Sequence, residues 1–283
     1  MPARRHPTAR QVRLGTELRR LRESAGLKAT EAASLLGVNS VQMSQMESGI
    51  AGVSEQRVRR LAANYACTEQ ELIGALVVMA TDRTRGWWEE YRNLLPAPFM
   101  DLPELEHHAS YRRDVEFLHI PGLLQTADYA QSLFSYVNPE SPRGDVDRWV
   151  EHRVRRRVVI ERPDPVPYKA LIHEAALRIR VGARRAAQAQ LSHLLEITEA
   201  DHVSVRVIPF DLDGFGGAGS AMVYAGGTVP QLDTVVRDGP NGPVFVDAEA
   251  QLARYRTLFR RVEAVSLESD RSRDLIRRVA KEL

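Results

Sequence analysis

The sequence predicts a helical module over residues 1–80, a linker at 81–86 and an α+β domain over 87–283 with a small, mostly antiparallel sheet. Three observations predict this. Between Gln11 and Ala80 apolar residues recur at helical spacing between cap residues. Thr81–Gly86, TDRTRG, is polar throughout. In the last third of the chain short strand-like runs follow one another across short turns, which suits an antiparallel α+β domain rather than a doubly wound sheet.

The elements follow in order. Met1–Arg10, with three Arg and two Pro, reads as a solvated arm rather than one laid along phosphates. Gln11–Ala25 is an amphipathic helix, with Val12, Leu18 and Leu21 expected inward and Arg19, Arg20 and Arg22 outside that stripe. Gly26–Gly49, GLKATEAASLLGVNSVQMSQMESG, carries two short helices about a tight turn. Ala32, Ala33, Leu35 and Leu36 form the apolar face of the first, and Ala33 is small where two helices crossing at about 90–120° must touch. Gly37 suits a left-handed cap, with Val38 filling the space beneath the turn. Asn39 is an N-cap with Gln42 as its capping-box partner; Met43 and Met46 point inward and Gly49 ends the helix. Ser40, Val41, Gln42, Ser44 and Gln45 are left outside, short or amide-bearing and uncharged. Such a face can enter a DNA major groove, where Gln pairs bidentately with adenine. Ser54 caps a helix over Glu55–Tyr65 with Val58, Leu61, Ala62 and Tyr65 inward. Thr68–Glu71 reads as a capping box for a fifth helix ending near Ala80, its apolar face Leu72, Ile73, Leu76 and Met79.

This run resembles the helix-turn-helix of the Cro/cI-like (xenobiotic-response-element type) repressors. Leu27, Ala33, Leu36, Gly37, Val38, Met43, Ser44, Met46, Glu47 and Gly49 match their pattern. The resemblance implies an all-α five-helix Cro-like domain and an ion pair between Arg22 and Glu47. It departs at Lys28 and Ala29, where the family has a Ser cap and a Gln beside a phosphate; Lys28 can supply a point charge there but not the cap. The expected DNA-contacting set is Lys28, Asn39, Ser40, Val41, Gln42, Ser44 and Gln45. An ordinary helical hairpin inside a larger core is the plainer alternative.

From Trp87 the composition changes. Trp87, Trp88 and Tyr91 stand at WWxxY spacing, expected on a helix as core anchors, with a ligand or partner surface as the alternative. Glu104–Leu118 reads as a helix, and Phe117–Ala130 as a Pro-Gly turn leading into another. Val146–Ile160 is helical and basic and is halted by Arg162-Pro-Asp-Pro165. Tyr168–His173 reads as a strand, Arg184–Ile197 as a helix and His202–Pro209 as an alternating strand. Ser220–Ala225, Thr234–Arg237 and Val244–Val246 are shorter strands, and Ala248–Ala264 and Asp270–Leu283 are closing helices. WWxxY, IPGLLQTADYA at Ile120–Ala130, RPDP, HEAALR at His173–Arg178 and VIPF at Val207–Phe210 resemble the domain of unknown function that follows the helix-turn-helix in a large family of actinobacterial regulators. Members of that family look like developmental or antibiotic-related regulators, some antitoxin-like, often paired with a small protein encoded nearby.

No enzyme chemistry assembles from the sequence. Gly214–Gly219 spells G-x-G-x-x-G but opens no helix after a strand, so a hairpin loop is expected. His173-Glu174 lacks the second His of a zinc-protease motif, with Leu at 177. Asp211–Gly214 begins like a calcium loop whose twelfth position is Met222 rather than Glu. The eight His, His107 and His108 included, show no metal spacing, so no metal, cofactor or catalytic residue is expected. No apolar run approaches the ~18 residues of a membrane span, and the lone Cys67 fits a reducing cytoplasm. Residues 1–85 hold 13 Lys and Arg against 8 Asp and Glu, and the remainder 26 against 29, so the basic excess sits at one end. The reading is a cytoplasmic regulator binding double-stranded DNA. A single neutral reading face makes few phosphate contacts, so a homodimer on an inverted-repeat operator is expected. Trp87, Trp88, Tyr91, Gln125 and Tyr129 mark the region where a ligand or partner protein would act. The alternative is an antitoxin-like or adaptor protein acting mainly by protein–protein interaction.

Overall fold

The computed structural model describes residues 7–213, 215–216, 221–239 and 242–283. The chain divides into two compact units, Met1–Leu105 and Glu106–Leu283.

In the first unit five helices follow one another: α1 (Ala9–Ser24), α2 (Ala29–Leu36), α3 (Ser40–Glu47), α4 (Glu55–Asn64) and α5 (Gln70–Thr81). Thr8 caps α1 through a full capping box with Gln11, so the arm read at Met1–Arg10 is helical from Ala9, and its residues 1–6 lie outside the described residues. Leu14, Leu18, Ala33, Leu36, Met43, Met46, Val58, Leu61, Leu72 and Leu76 form the core of this unit.

Several details differ from the sequence reading: Arg22 is buried, and Leu21 and Met79 are only partly so. Val12 and Leu35 are exposed, at 40% and 45%. On α1 the buried face runs through Leu14, Gly15, Leu18 and Arg22, because α1 packs by close backbone approach at Gly15 and turns Val12 away. Thr68 does not cap α5: Glu69 holds the cap position and its side chain makes no cap hydrogen bond. The WWxxY segment is a 3₁₀ turn, Trp87–Tyr91, rather than an α-helix. Residues three apart eclipse in that geometry, and Trp88 and Tyr91 are the pair it buries.

The second unit is built on a six-stranded open sheet in the order β3-β2-β1-β4-β5-β6. Helix α6 (Pro98–His108), within which the division between the units falls, precedes β1 (Tyr111–Glu116); α7 (Ala127–Val137), α8 (Arg143–Arg155) and α9 (Val158–Glu161) lead to β2 (Tyr168–His173); α10 (Glu174–Arg178) and α11 (Arg184–Ile197) lead to β3 (Val203–Ile208). Then β4 (Met222–Gly226), β5 (Thr234–Gly239) and β6 (Gly242–Val246) are followed by α12 (Glu249–Val265) and α13 (Ser269–Glu282). The three pairings β1–β4, β4–β5 and β5–β6 are antiparallel, while β1–β2 and β2–β3 are parallel, each with helices between its strands. One sheet face packs Tyr168, Ala170, Ile172, Val205 and Val207 against Leu191, Leu194, Leu275 and Ile276. The other packs Val115, Leu171, Ile208 and Tyr224 against Leu252, Phe259 and Val262 of α12.

The reading of Glu104–Leu118 as a helix is corrected: α6 ends at His108 and Tyr111–Glu116 is β1, next to the middle of the sheet. The misreading has a physical cause. Alternation is present in β1, but two of its three buried residues are Arg112 and Asp114, which neutralise each other in the interior. A pattern search that expects apolar residues inward reads that strand as polar. The short strand expected at Ser220–Ala225 is β4, shifted to Met222–Gly226; Ser220 and most of the glycine-rich loop Gly214–Gly219 lie outside the described residues.

Candidate nucleic-acid interface

The geometry of α3 begins with its caps. Gly37 closes α2 at φ 74° and ψ 35°, and the bonds Val38 N–H to Ala33 O (2.9 Å) and Gly37 N–H to Ser34 O (3.0 Å) make the six-to-one and five-to-two closure of a Schellman turn. From α4, Arg60 donates to the Leu35 carbonyl at 2.6 Å and satisfies another end group of α2. Asn39 then opens α3: its Oδ1 accepts the Gln42 N–H at 2.8 Å and the Gln42 Oε1 accepts the Asn39 N–H at 3.2 Å. Met43 and Met46 face the core. Ser40, Val41, Gln42 and Ser44 are exposed, Val41 at 61%, and Gln45 is half-buried. The outward face carries no ionised group.

Lys28 stands at the N-cap of α2, fully at the surface. It has no acceptor to offer, so only the return half of a capping box forms, from its N–H to Glu31 Oε2 at 2.6 Å. The ammonium is left to solvent.

What orients α3 is its carboxyl end. Arg22 of α1 grips Glu47 with two bonds, Nε to Oε1 at 2.6 Å and Nη2 to Oε2 at 2.9 Å, while its Nη1 donates to the Leu27 carbonyl at 2.8 Å. Both side chains are more than nine-tenths buried. The hydrogen bond to Glu47 pushes the Arg22 pKa up; burial first, then the Glu47 charge, pushes the Tyr65 hydroxyl up to about 12. The backbones meet beside this pair. A Cβ at Gly15 would fall 2.5 Å from the Glu47 carbonyl oxygen, and one at Gly49, whose φ is 76°, 2.6 Å from the Gln11 carbonyl oxygen. The sequence reading passed over Gly15. A lone glycine inside an amphipathic helix was the available signal, since glycine in a helix interior costs about 1 kcal/mol and needs a packing reason.

The residues expected to mark a ligand or partner region fall in different units. Trp88 and Tyr91 are core residues of the first, with Trp87 edge-on to both at 6.2 and 5.8 Å between ring centroids. Gln125 and Tyr129 are buried in the second, where they hold the loop that leaves β1. The Tyr129 hydroxyl accepts the Ile120 N–H at 3.1 Å, the Gln125 Nε2 donates to the Ile120 carbonyl at 2.8 Å, and the Gln125 Oε1 accepts from Arg153 at 2.7 Å. Around that loop lies an ionic centre. Arg112 donates to both Asp114 oxygens at 2.9 and 2.8 Å and to Glu106; Arg156 donates to Glu106, with Nε to Oε2 at 3.0 Å; and the Tyr168 hydroxyl donates to Asp114 at 2.7 Å. Charges so deeply buried persist only when paired and hydrogen-bonded. Among the described residues no group of His, Cys, Asp and Glu could hold a metal ion, and no helix is long and apolar enough to cross a membrane.

Two family models match the chain. A helix-turn-helix domain matches residues 13–73, covering most of α1, α2 to α4 and the start of α5, with the whole α2–turn–α3 unit. A domain of unknown function, DUF5753, matches residues 99–278, from α6 into α13. No curated protein and no solved structure matches. The helix-turn-helix match marks the chain as a DNA-binding regulator. The second match covers well over half of the chain, and the chain belongs to the DUF5753 family, carrying that domain behind an N-terminal helix-turn-helix domain.

Proposed function

We propose that this protein is a sequence-specific DNA-binding transcriptional regulator in which α3 enters the major groove. Gln42 and Gln45 read base edges, Asn39, Ser40, Val41 and Ser44 fit the groove, and Lys28 touches a phosphate. The observation that carries the reading is the uncharged outer face of α3, held at a set angle by the Gly15 contact and the Arg22–Glu47 pair. Amides at fixed positions discriminate bases through paired donors and acceptors. Gln45 suits this best, because its side chain has no hydrogen-bond partner among the described residues, whereas Gln42 also serves the cap.

With so neutral a reading face one copy binds weakly, and two joined copies gain through effective concentration. The protein therefore acts as a homodimer on an inverted repeat, and the DUF5753 domain sets its affinity in response to a small ligand or partner protein. The test is titration of the full chain against DNA from upstream of its own coding sequence and against random DNA, at several salt concentrations. Specific binding should exceed non-specific by a factor on the order of 10³ or more. Equal affinity for both would overturn the reading.

A further inference from the structure

The ionic centre beside β1 does not balance within itself. Glu106 and Asp114 are taken up by Arg112 and Arg156. Three ionisable groups beyond them, Arg153, Glu116 and Asp238, have no ion-pair partner among the described residues, and His119, pushed down by burial, lies within electrostatic reach of Asp238 and Arg153. Arg153 donates to Gln125 Oε1 at 2.7 Å and lies over the Phe134 ring at 4.8 Å, and no carboxylate among the described residues is within ion-pair distance of it. Glu116 and Asp238 have no hydrogen-bond or ion-pair partner among the described residues.

Topology brings the two carboxyl groups to one face, and Arg153 lies within electrostatic reach of both. Asp114 pairs with Val223 and Val223 with Val236, so Glu116 and Asp238, each two residues on, project from one face of the sheet on either side of β4. Their backbones are about 10 Å apart, two strand spacings. β1 is parallel to β2 and antiparallel to β4, so its carboxyl end lies where the sheet changes sense. Electrostatics agrees with the geometry. Burial, with Asp114 and Asp238 adding, pushes the Glu116 carboxyl up to about 8. Burial and Arg156 push Arg153 down to about 9, while Asp238 and Glu116 pull it the other way. Neither group is sealed: Arg153 and Glu116 are both partly exposed. Gly122 brings the loop after β1 down onto the guanidiniums, where a Cβ would lie 3.2 and 3.3 Å from the Nη1 atoms of Arg153 and Arg156.

Arg153 beside Asp238 and a Glu116 that gives up its proton to an incoming cation is the complement of a small zwitterion. We propose that the carboxyl edge of β1 binds an α-amino acid, or a compound with an amino-acid head, whose carboxylate meets Arg153 and whose ammonium sits between Glu116 and Asp238. This names the ligand class for the regulation proposed above and rests on that reading.

The test is isothermal titration of the full chain with the standard L-amino acids, and with acetate and methylamine as half-ligands. At least one amino acid should bind, with both half-ligands weaker by about tenfold or more. The incoming ammonium should ionise Glu116, so that binding at neutral pH releases a proton, read as heats that depend on buffer ionisation enthalpy. Glu116→Gln should abolish that release and weaken binding by about tenfold or more. Asp238→Asn, at the exposed side of the site, serves as the second variant should the first not fold. Binding of no amino acid, or binding that neither variant changes, overturns the proposal. A DNA titration separates it from the parent reading: intact operator binding without amino-acid binding removes the site and leaves the regulator. Amino-acid binding that leaves operator affinity unchanged keeps the site and removes its regulatory use.

Discussion

Gln42 has two uses that compete. Its Oε1 accepts the Asn39 N–H at 3.2 Å, and the same oxygen is needed for bidentate pairing with adenine. Gln42→Ala should cost about 1–3 kcal/mol on operator DNA and little on random DNA, with a loss of stability below about 1 kcal/mol from the halved capping box. Gln45→Ala should lose operator affinity with no change in melting. Parallel titrations and melting curves check both, and equal losses on the two DNAs would remove the assignment. Glu116 gives a residue-scale prediction of another kind. Its folded pKa of about 8 lies above the ordinary carboxyl value of 4.5, so the fold binds this proton more tightly than the unfolded chain. The stability it contributes is complete below about 4.5 and is lost as pH rises through about 8. Burial pushes His119, His173 and His193 down, which acts with the opposite sign. The expected outcome is therefore a difference: Glu116→Gln should melt like the parent at pH 5 and above it at pH 8–9. Identical melting of the two at every pH would show that the carboxyl is not held in that state.

At the scale of elements, α3 depends on α1 more than on its own composition. Glu47→Ala leaves the Arg22 guanidinium buried with only the half-exposed Glu23 at 3.5 Å, and breaking a buried pair from one side costs up to about 3–5 kcal/mol. Replacing both residues, as in Arg22→Met with Glu47→Leu, should cost less than Glu47→Ala alone, because no charge is stranded. Chemical unfolding of the three variants measures this; an exposed pair would instead change stability by less than about 1 kcal/mol. Gly15→Ala tests the contact beside it. A Cβ 2.5 Å from the Glu47 carbonyl oxygen must separate α1 from α3, so both melting temperature and operator binding should fall. Unchanged binding would mean that the angle of α3 is set elsewhere.

For the whole molecule the expectation is division of labour, with reading in the helical unit and self-association and response in the DUF5753 unit. A fragment ending at Leu105, the first compact unit, should be monomeric by sedimentation. It should bind the operator more weakly than the full chain by about 10²-fold or more, the gain that joining two modules provides. Footprints of the full chain should show two half-sites one helical turn, about 34 Å, or a multiple apart. A fragment as dimeric and as tight as the full chain would leave the second unit no part in setting affinity.

The sequence by itself determined the helical half. Helix positions, the Gly37 turn, the Asn39–Gln42 cap and the outward set on α3 are consequences of a repeat of 3.6 residues and of caps written within four residues of each helix end. It determined Tyr168–His173 and Arg184–Ile197 for the same reason, since their apolar patterns are local. Tertiary structure alone decided the rest. β1 became a strand beside the sheet's centre because Arg112 finds Glu106, itself held by Arg156, and Asp114 finds Tyr168, 54 residues away. Val12 turned outward because Gly15 sits against a backbone more than 30 residues on in the chain. Gln125 and Tyr129 became the braces of a loop rather than a surface, because their partners are in that loop and on Arg153. Periodicity records which way a residue faces only when facing inward means being apolar; where a buried charge is neutralised by distant partners, only the folded chain shows it.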